Sequence, residues 1–162
     1  MSITRLVKNY IYHYNHKRYW KWRSIVIDSN NKTPKLVKLF MLLYIKRSDA
    51  FNNCSFGTEL NNGSVFLTPP HLPHGPKGII VGKDCHFGKD VILFHHVTIS
   101  SGGHCQIGDN VLFSAGSTVI SDCKRIGNNA KIGANCVVIE DVPDNATVVM
   151  QRPRIILRNS EL

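Results

Sequence analysis

Hydrophobic residues recur at a spacing of six in the second half of the chain, from Val81 to Val142. Counted in sixes from Val81, the first position is aliphatic or Phe, the second is often Gly, and the fifth is small or β-branched. A fixed short period of this kind is typical of a stacked solenoid. We expect the first and fifth positions to point into a narrow core, with glycine relieving backbone strain beside it.

The N-terminal third of the chain has a helical spacing instead. Its apolar residues fall on one face of a helix: Ile3, Leu6, Val7, Tyr10, Ile11 and Tyr14. A turn cluster, DSNNKTP, follows, and Pro34 is suited to open a second helix over residues 35–46. We therefore predict a helical segment over residues 1–50, a β-solenoid domain over residues 51–157 and a tail over residues 158–162.

Basic and aromatic residues alternate between Tyr14 and Arg23, in YNHKRYWKWR. We expect an amphipathic helix whose aromatic residues pack on the main body and whose charges are solvated. The alternative is a patch that binds nucleic acid or, weakly, a membrane surface. The longest apolar stretch, Leu36 to Ile45, is interrupted by Lys38 and too short to span a bilayer. No signal peptide is recognisable, so we expect a cytoplasmic protein.

Composition narrows the class of protein further. The 162 residues suit one compact domain with a small appendage, and the net charge of +9 favours an anionic partner. The five cysteines are odd in number and form no C-x-x-C motif, which argues against a disulfide framework or a zinc knuckle. Cys85, Cys123 and Cys136 all occupy the fifth position of the repeat, where we expect small buried hydrophobic residues rather than nucleophiles.

The segment LPHGPKGIIVG, followed by KDCHFGKDVILFHHVTI, resembles the core of serine acetyltransferases and of related O-acetyltransferases from bacterial surface-polysaccharide clusters. The resemblance covers roughly residues 50–157. It implies a mainly β fold, a left-handed parallel β-helix with a small N-terminal helical segment. The left hand is implied by the resemblance alone, since crossovers are usually right-handed. It also implies acetyl-CoA as donor, no metal and a homotrimer whose active sites are shared between subunits, and the basic charge then needs no nucleic-acid partner.

A histidine is the general base in enzymes of this type, because an imidazole titrates near neutral pH. By position His74 matches that base, and His71 is its competitor. Asn53 aligns with an aspartate that orients the base in serine acetyltransferases, and Glu59 is the less favoured orienting residue. Pro73 stands where those enzymes carry an aspartate that helps to hold serine.

The resemblance assigns further residues to the acceptor and to CoA. We expect His71, His95, His96 and His104 to bind the acceptor, since His95 and His96 lie at an outward corner and His104 aligns with an acceptor-site histidine. The alternative for the last three is a solvated corner residue. Ala115, Gly116 and Ala134 match small residues that line the CoA groove. Lys131, Arg152 and Arg154 are the expected partners of the CoA phosphates.

The departures at Pro73 and Asn53 weaken serine as the acceptor and leave acetyl transfer in place. We therefore expect an acetyl-CoA-dependent O-acetyltransferase acting on a sugar hydroxyl of a surface polysaccharide or its precursor. Serine O-acetylation is the first alternative. A zinc protein resembling γ-class carbonic anhydrase, with ligands drawn from His86, His95, His96 and His104, is more distant. A catalytically silent solenoid that binds through its basic helices is the third.

Overall fold

The computed structural model of the chain describes residues 13–100, 104–120 and 123–151. Two helices come first, α1 over His16–Ile27 and α2 over Lys35–Asn52. The side chain of Asn15 accepts a hydrogen bond from the backbone N–H of Arg18, which caps α1. Asn53 takes a left-handed conformation and ends α2. The helix predicted over residues 3–14 lies outside the described residues as far as residue 12, and Tyr14, which is described, precedes α1 and is not helical.

Helix α2 continues six residues beyond its predicted end at residue 46. The extension is RSDAFN, whose Ser48, Asp49 and Asn52 are buried. Because these core-facing residues are polar, the apolar pattern that predicts the helix ends before the helix itself does. The prediction of the C-terminal boundary was therefore wrong.

Short strands make up the rest of the described chain. They are β1 Ser55–Phe56, β2 Thr58–Glu59, β3 Asn62–Gly63, β4 Val65–Phe66, β5 Ile80–Val81, β6 His86–Phe87, β7 Ile92–Leu93, β8 Thr98–Ile99, β9 Gln106–Ile107, β10 Leu112–Phe113, β11 Thr118–Val119, β12 Arg125–Ile126, β13 Lys131–Ile132, β14 Val137–Val138 and β15 Thr147–Val148. Each strand has two residues, so every side of the tube is short and most of a six-residue unit is corner.

Consecutive strands from β5 to β14 join three different sheets in rotation. The sheet orders are β1-β5-β8-β11-β14, β15-β13-β10-β7 and β12-β9-β6-β4, and their pairings are parallel. The chain therefore winds a three-sided parallel β-solenoid of about four turns, which confirms the solenoid predicted from the six-residue period. Strands β2 and β3 form an antiparallel hairpin at its N-terminal end.

The first and fifth positions of the repeat fill the core, as expected. The buried first-position residues are Val81, Phe87, Leu93, Ile99, Ile107, Phe113, Val119, Ile126, Ile132 and Val138. The five cysteines are buried and unpaired, which confirms the prediction for Cys85, Cys123 and Cys136. Burial raises the pKa of Cys85 to about 11 and that of Cys105 to about 12, so these thiols stay protonated at neutral pH.

The helices pack on the first, irregular turn of the solenoid. Tyr19 and Trp20 are buried against Phe56, which confirms that the aromatic residues of α1 face the main body. The expectation that all charges of this stretch are solvated was wrong for Arg23, which is 2% exposed. Sequence periodicity could not reveal the polar groups that accept hydrogen bonds from this guanidinium. Within the described ranges, neither helix is long and apolar enough to cross a membrane.

Candidate active site

The loop before β5 is fastened to the solenoid at His71. The backbone N–H of His71 donates to the carbonyl of Val91 at 2.8 Å, and its own carbonyl accepts from the N–H of Leu93 at 3.0 Å. A tight turn follows, in which the N–H of Gly75 donates to the carbonyl of Leu72 at 3.1 Å and Gly75 has φ +75°. The turn leaves the side chain of His74 exposed.

His74 contacts two residues of the first regular turn. Its Nδ1 atom lies 2.9 Å from Nδ1 of His95, within hydrogen-bonding distance. Its ring stands edge-on to Phe94, with the centroids 5.3 Å apart. Because the contact with His95 occupies Nδ1, Nε2 is the ring nitrogen left for a substrate. Among the described residues, no hydrogen bond to that Nε2 atom is formed.

His96 occupies the corner beside this pair. It has a left-handed φ of +57°, and its backbone N–H donates to the carbonyl of Lys77 at 3.2 Å. A methyl group added to Gly78 would collide with Nδ1 of His96, so glycine is needed at this position. The close packing of His96 on Gly78 sets how near the His74 loop approaches the corner.

Corner residues of successive turns stack along one edge of the solenoid, which we call the histidine edge. It comprises residues 77–78, 95–96, 115–116 and 134–135. The N–H of Gly116 donates to the carbonyl of His95 at 3.1 Å, and the N–H of Asn135 donates to the carbonyl of Ala115 at 3.0 Å. The structure thus brings the predicted base into line with the predicted CoA-lining residues Ala115, Gly116 and Ala134.

The predicted phosphate-binding residues fall into two groups. Lys131 begins β13, the strand that leads into the corner at residues 134–135, and its side chain is exposed. Arg152 and Arg154 lie outside the described residues. Only Lys131 is therefore placed, on the side of the solenoid that ends at the histidine edge.

The other predicted site residues are not brought to His74 within one chain. His104 is exposed and precedes β9, at the next edge of the solenoid, where it shares a cleft of about 650 Å³ with His86. The Nε2 atom of His71 lies 3.8 Å from Oδ1 of Asp90. Asn53 is exposed at the end of α2, and the structure shows no hydrogen bond between it and His74.

Sequence reasoning missed the contact between His95 and His74. The six-residue register places His95 at an outward corner, and that placement is correct. No spacing rule relates a corner residue to a loop 21 positions earlier in the chain. The one available signal is the irregular HLPHGPKG segment, which must leave and rejoin the tube next to some corner.

The four zinc-ligand candidates divide between two places in one chain. His86 and His104 line the same cleft, whereas His95 and His96 lie at the histidine edge. Within residues 13–100, 104–120 and 123–151, no three His, Cys, Asp or Glu side chains come together in a way that could hold a metal ion. The zinc hypothesis thus gains no support from the geometry of a single chain.

Comparison with known proteins identifies serine acetyltransferases among the relatives of this chain. A serine acetyltransferase of Staphylococcus epidermidis is 37% identical over 134 residues, which is 79% of this chain and 59% of the relative. One from Staphylococcus aureus is 37% identical over 99 residues, covering 57% of this chain and 46% of the relative. The chain thus spans about half the length of the curated relatives it matches. No protein-family model matches the chain.

Solved structures agree with the sequence relatives. The serine acetyltransferase of Neisseria gonorrhoeae in complex with serine is 31% identical, with a TM-score of 0.56 over 72% of this chain and 48% of that one. The soybean serine acetyltransferase apoenzyme is 27% identical, with a TM-score of 0.58 over 90% of this chain and 55% of that one. The fold is therefore that of the hexapeptide-repeat acyltransferases, and the predicted resemblance is confirmed. Within that class, the chain is similar to serine acetyltransferases.

Proposed function

We propose that the protein is an O-acetyltransferase that moves the acetyl group of acetyl-CoA to the hydroxyl of L-serine. The observation that carries the proposal is the pairing of an exposed His74 with His95 at the histidine edge. The relatives support serine as the acceptor, because they are serine acetyltransferases and one is solved with serine bound. They favour this alternative over the saccharide acceptor that the sequence suggests first.

His74 is the proposed general base. For Nε2 to accept a proton, the ring of His74 must carry its own proton on Nδ1 and donate it to Nδ1 of His95. His95 then carries its proton on Nε2 and acts as the acceptor that fixes the tautomer of His74. This gives His95 a positioning role, which differs from the substrate-binding role expected from the sequence and from the orienting role predicted for Asn53.

The transfer then proceeds without a covalent enzyme intermediate. Nε2 of His74 takes the hydroxyl proton as the serine oxygen attacks the thioester carbonyl carbon. The tetrahedral intermediate collapses, the carbon–sulfur bond breaks and the imidazolium returns its proton to the CoA sulfur. We expect a backbone N–H group to stabilise the oxyanion. The buried, protonated cysteines take no part in these steps.

The donor is proposed to lie along the histidine edge. Ala115, Gly116 and Ala134 have small side chains, so an elongated cofactor can approach the backbone of successive turns next to His74. A neighbouring structure, a serine acetyltransferase in complex with CoA, supports acetyl-CoA as the donor. Lys131, with Arg152 and Arg154, would then supply positive charge to the phosphates.

The proposed assembly is a homotrimer in the cytoplasm. Within one chain, His104 and His74 belong to different edges of the solenoid, so a site that uses both needs a second subunit. A three-fold arrangement would bring the His104 edge of one subunit to the His74 edge of the next. The weak membrane-surface contact expected of the basic-aromatic stretch of α1 is not part of this proposal, because Tyr19, Trp20 and Arg23 are buried.

A saccharide acceptor is the second candidate, favoured by one observation. Pro73, directly before the base, has no charged group to hold the amino group of serine. The acceptor is therefore tested directly, by measuring release of free CoA from acetyl-CoA with L-serine, with simple hexoses and with no acceptor. We expect L-serine to raise the rate at least tenfold above the acceptor-free rate. A hexose that exceeds serine would replace the proposed acceptor while leaving acetyl transfer intact.

A further inference from the structure

The net charge of the chain is confined to its helical part. Residues 1–53 contain eleven Lys and Arg against two Asp, whereas residues 54–162 contain nine basic and nine acidic residues. The helical part thus accounts for the whole net charge of +9, and the solenoid part is neutral. Arg23, Lys38 and Asp49 are buried and add nothing to the surface charge, and Asp28 is the one exposed acidic residue of the helical part. This surface is suited to a polyanionic partner.

The outward face of α2 is apolar. Leu36 is 80% exposed, Phe40 66% and Leu43 67%, and they follow each other at helical spacings of four and three. Val37, Leu39 and Phe51 are further exposed apolar residues of the same helix. On an ordinary surface helix the face opposite the core is polar. Here the core face of α2 holds Lys38 and Asp49, and the solvent face is the more apolar one.

We propose that the outward face of α2 lies on an anionic lipid surface. We call this face, formed by Leu36, Phe40, Leu43 and Phe51, the α2 stripe. Lys35 and Lys46 flank the stripe, and Arg47 lies on it between Leu43 and Phe51. All three are exposed, so their charged groups can reach phosphate groups while the apolar residues enter the acyl boundary. At 18 residues, α2 is about 27 Å long and can lie flat in the interface.

Charge selects a bilayer over the other occupants of such a face. A second copy of this chain would bring equally basic helices together, which is unfavourable. Residues 1–12 contain Arg5 and Lys8 and no acidic residue, so they offer no complementary charge either. An anionic bilayer offers both negative charge and an apolar layer. The basic-aromatic stretch of α1 is not the contact surface, because Tyr19, Trp20 and Arg23 are buried.

Co-sedimentation of the full chain with vesicles tests the proposal. One vesicle population is phosphatidylcholine alone, and the other is phosphatidylcholine and phosphatidylglycerol in a 7:3 ratio. The test variant is the double substitution Phe40→Asp, Leu43→Asp. The matched control is Val137→Asp, Ile139→Asp, which removes two exposed apolar side chains from the solenoid with the same change of charge. Multi-angle light scattering of each protein without lipid gives the oligomeric state.

We expect wild type and control to bind the anionic vesicles at least tenfold more strongly than the neutral ones, and the test variant to lose this binding. Equal loss of vesicle binding in both variants would mean that the added negative charge alone abolishes binding, and it would overturn the proposal. Absence of wild-type binding would overturn it too. If wild type does not bind vesicles and light scattering shows a smaller oligomer for the test variant, the stripe is instead an interface with a second copy of this chain. A lower melting temperature of that variant would instead assign it to residues 1–12.

Discussion

The Nδ1 atoms of His74 and His95 lie 2.9 Å apart, although the two residues are 21 positions apart in the sequence. One histidine belongs to an irregular loop and the other to a corner of the regular solenoid. Two imidazoles in this arrangement share one proton, so the tautomer of each ring depends on the other. The proposed base therefore has its orientation set by the fold.

Replacing His95 separates its role from packing. His95→Phe keeps an aromatic ring but removes the acceptor, and we expect kcat to fall about 10- to 100-fold. His95→Asn should recover most of the loss, because its Oδ1 takes the place of Nδ1. Imidazole ¹⁵N NMR should show His74 with its proton on Nδ1 in wild type and His95→Asn, and on Nε2 in His95→Phe. The same tautomer in all three proteins would refute a positioning role.

A larger side chain at Ala134 should obstruct the proposed donor path. Ala134 is exposed at the histidine edge, so Ala134→Leu should leave the melting temperature unchanged. We expect KM for acetyl-CoA to rise about tenfold, equivalent to about 1.4 kcal/mol of binding, with little change in kcat. Ala50→Leu, also exposed but on α2, is the matched control and should change neither constant. An unaltered KM in Ala134→Leu would place the donor elsewhere.

Asp49 makes the stability of the fold depend on pH. Burial raises the pKa of its carboxyl from 3.8 to about 6, although Tyr19 donates a hydrogen bond to it at 2.6 Å. The folded state therefore holds this proton more tightly than the unfolded state. Its stabilising effect is complete below about pH 4 and is lost as the pH rises through about 6.

The free energy of unfolding should thus fall between pH 5 and pH 7.5, with about 1 to 2 kcal/mol of the change due to Asp49. Urea unfolding at the two pH values measures it. Asp49→Asn should remove that part of the pH dependence, and Glu140→Gln, at an exposed carboxyl of the solenoid, should not. If the pH dependence of the free energy of unfolding is unchanged in Asp49→Asn, another titrating group causes it.

Arg23 should stabilise the junction between α1 and the solenoid. Its guanidinium donates to the carbonyls of Phe56 and Ser64 and its Nε to Oγ1 of Thr58, at 2.6 to 2.9 Å. Arg23→Ala removes these donors, and among the described residues only the Phe56 carbonyl keeps another, from Oγ of Ser64 at 2.7 Å. We therefore expect a loss of about 3 kcal/mol in the free energy of unfolding. Arg18→Ala, at an exposed arginine on the same helix, should lose less than about 1 kcal/mol. Similar losses in both variants would show that the buried contacts add nothing.

The solenoid could be predicted because its period is local. Each six-residue unit repeats the same inward positions, so residues such as Val91 and Cys136 are assigned to the core by counting alone. The same six-residue register places Ala115 and Ala134 at equivalent corners of successive turns, so they stack along the histidine edge. These features need no knowledge of how distant segments meet.

The features that escaped prediction depend on contacts between distant segments. Periodicity assigns the charged residues Arg23 and Asp49 to the solvent. In the folded chain both are buried, and each forms hydrogen bonds with groups 30 or more positions away. The partner of His74 was missed for the same reason, since a loop that leaves the tube can return beside several corners. The resemblance to serine acetyltransferases singled out His74 as the candidate base, but only the folded chain shows its neighbour His95.

The most direct test of the account is the rate of CoA release from acetyl-CoA with L-serine, compared between wild type, His74→Ala and His13→Ala. The last variant removes an exposed imidazole next to the helices and controls for the loss of a histidine. If His74 is the general base, His74→Ala should lower kcat at least 100-fold while His13→Ala matches wild type. A His74→Ala variant that retains more than a third of the wild-type rate would contradict the account.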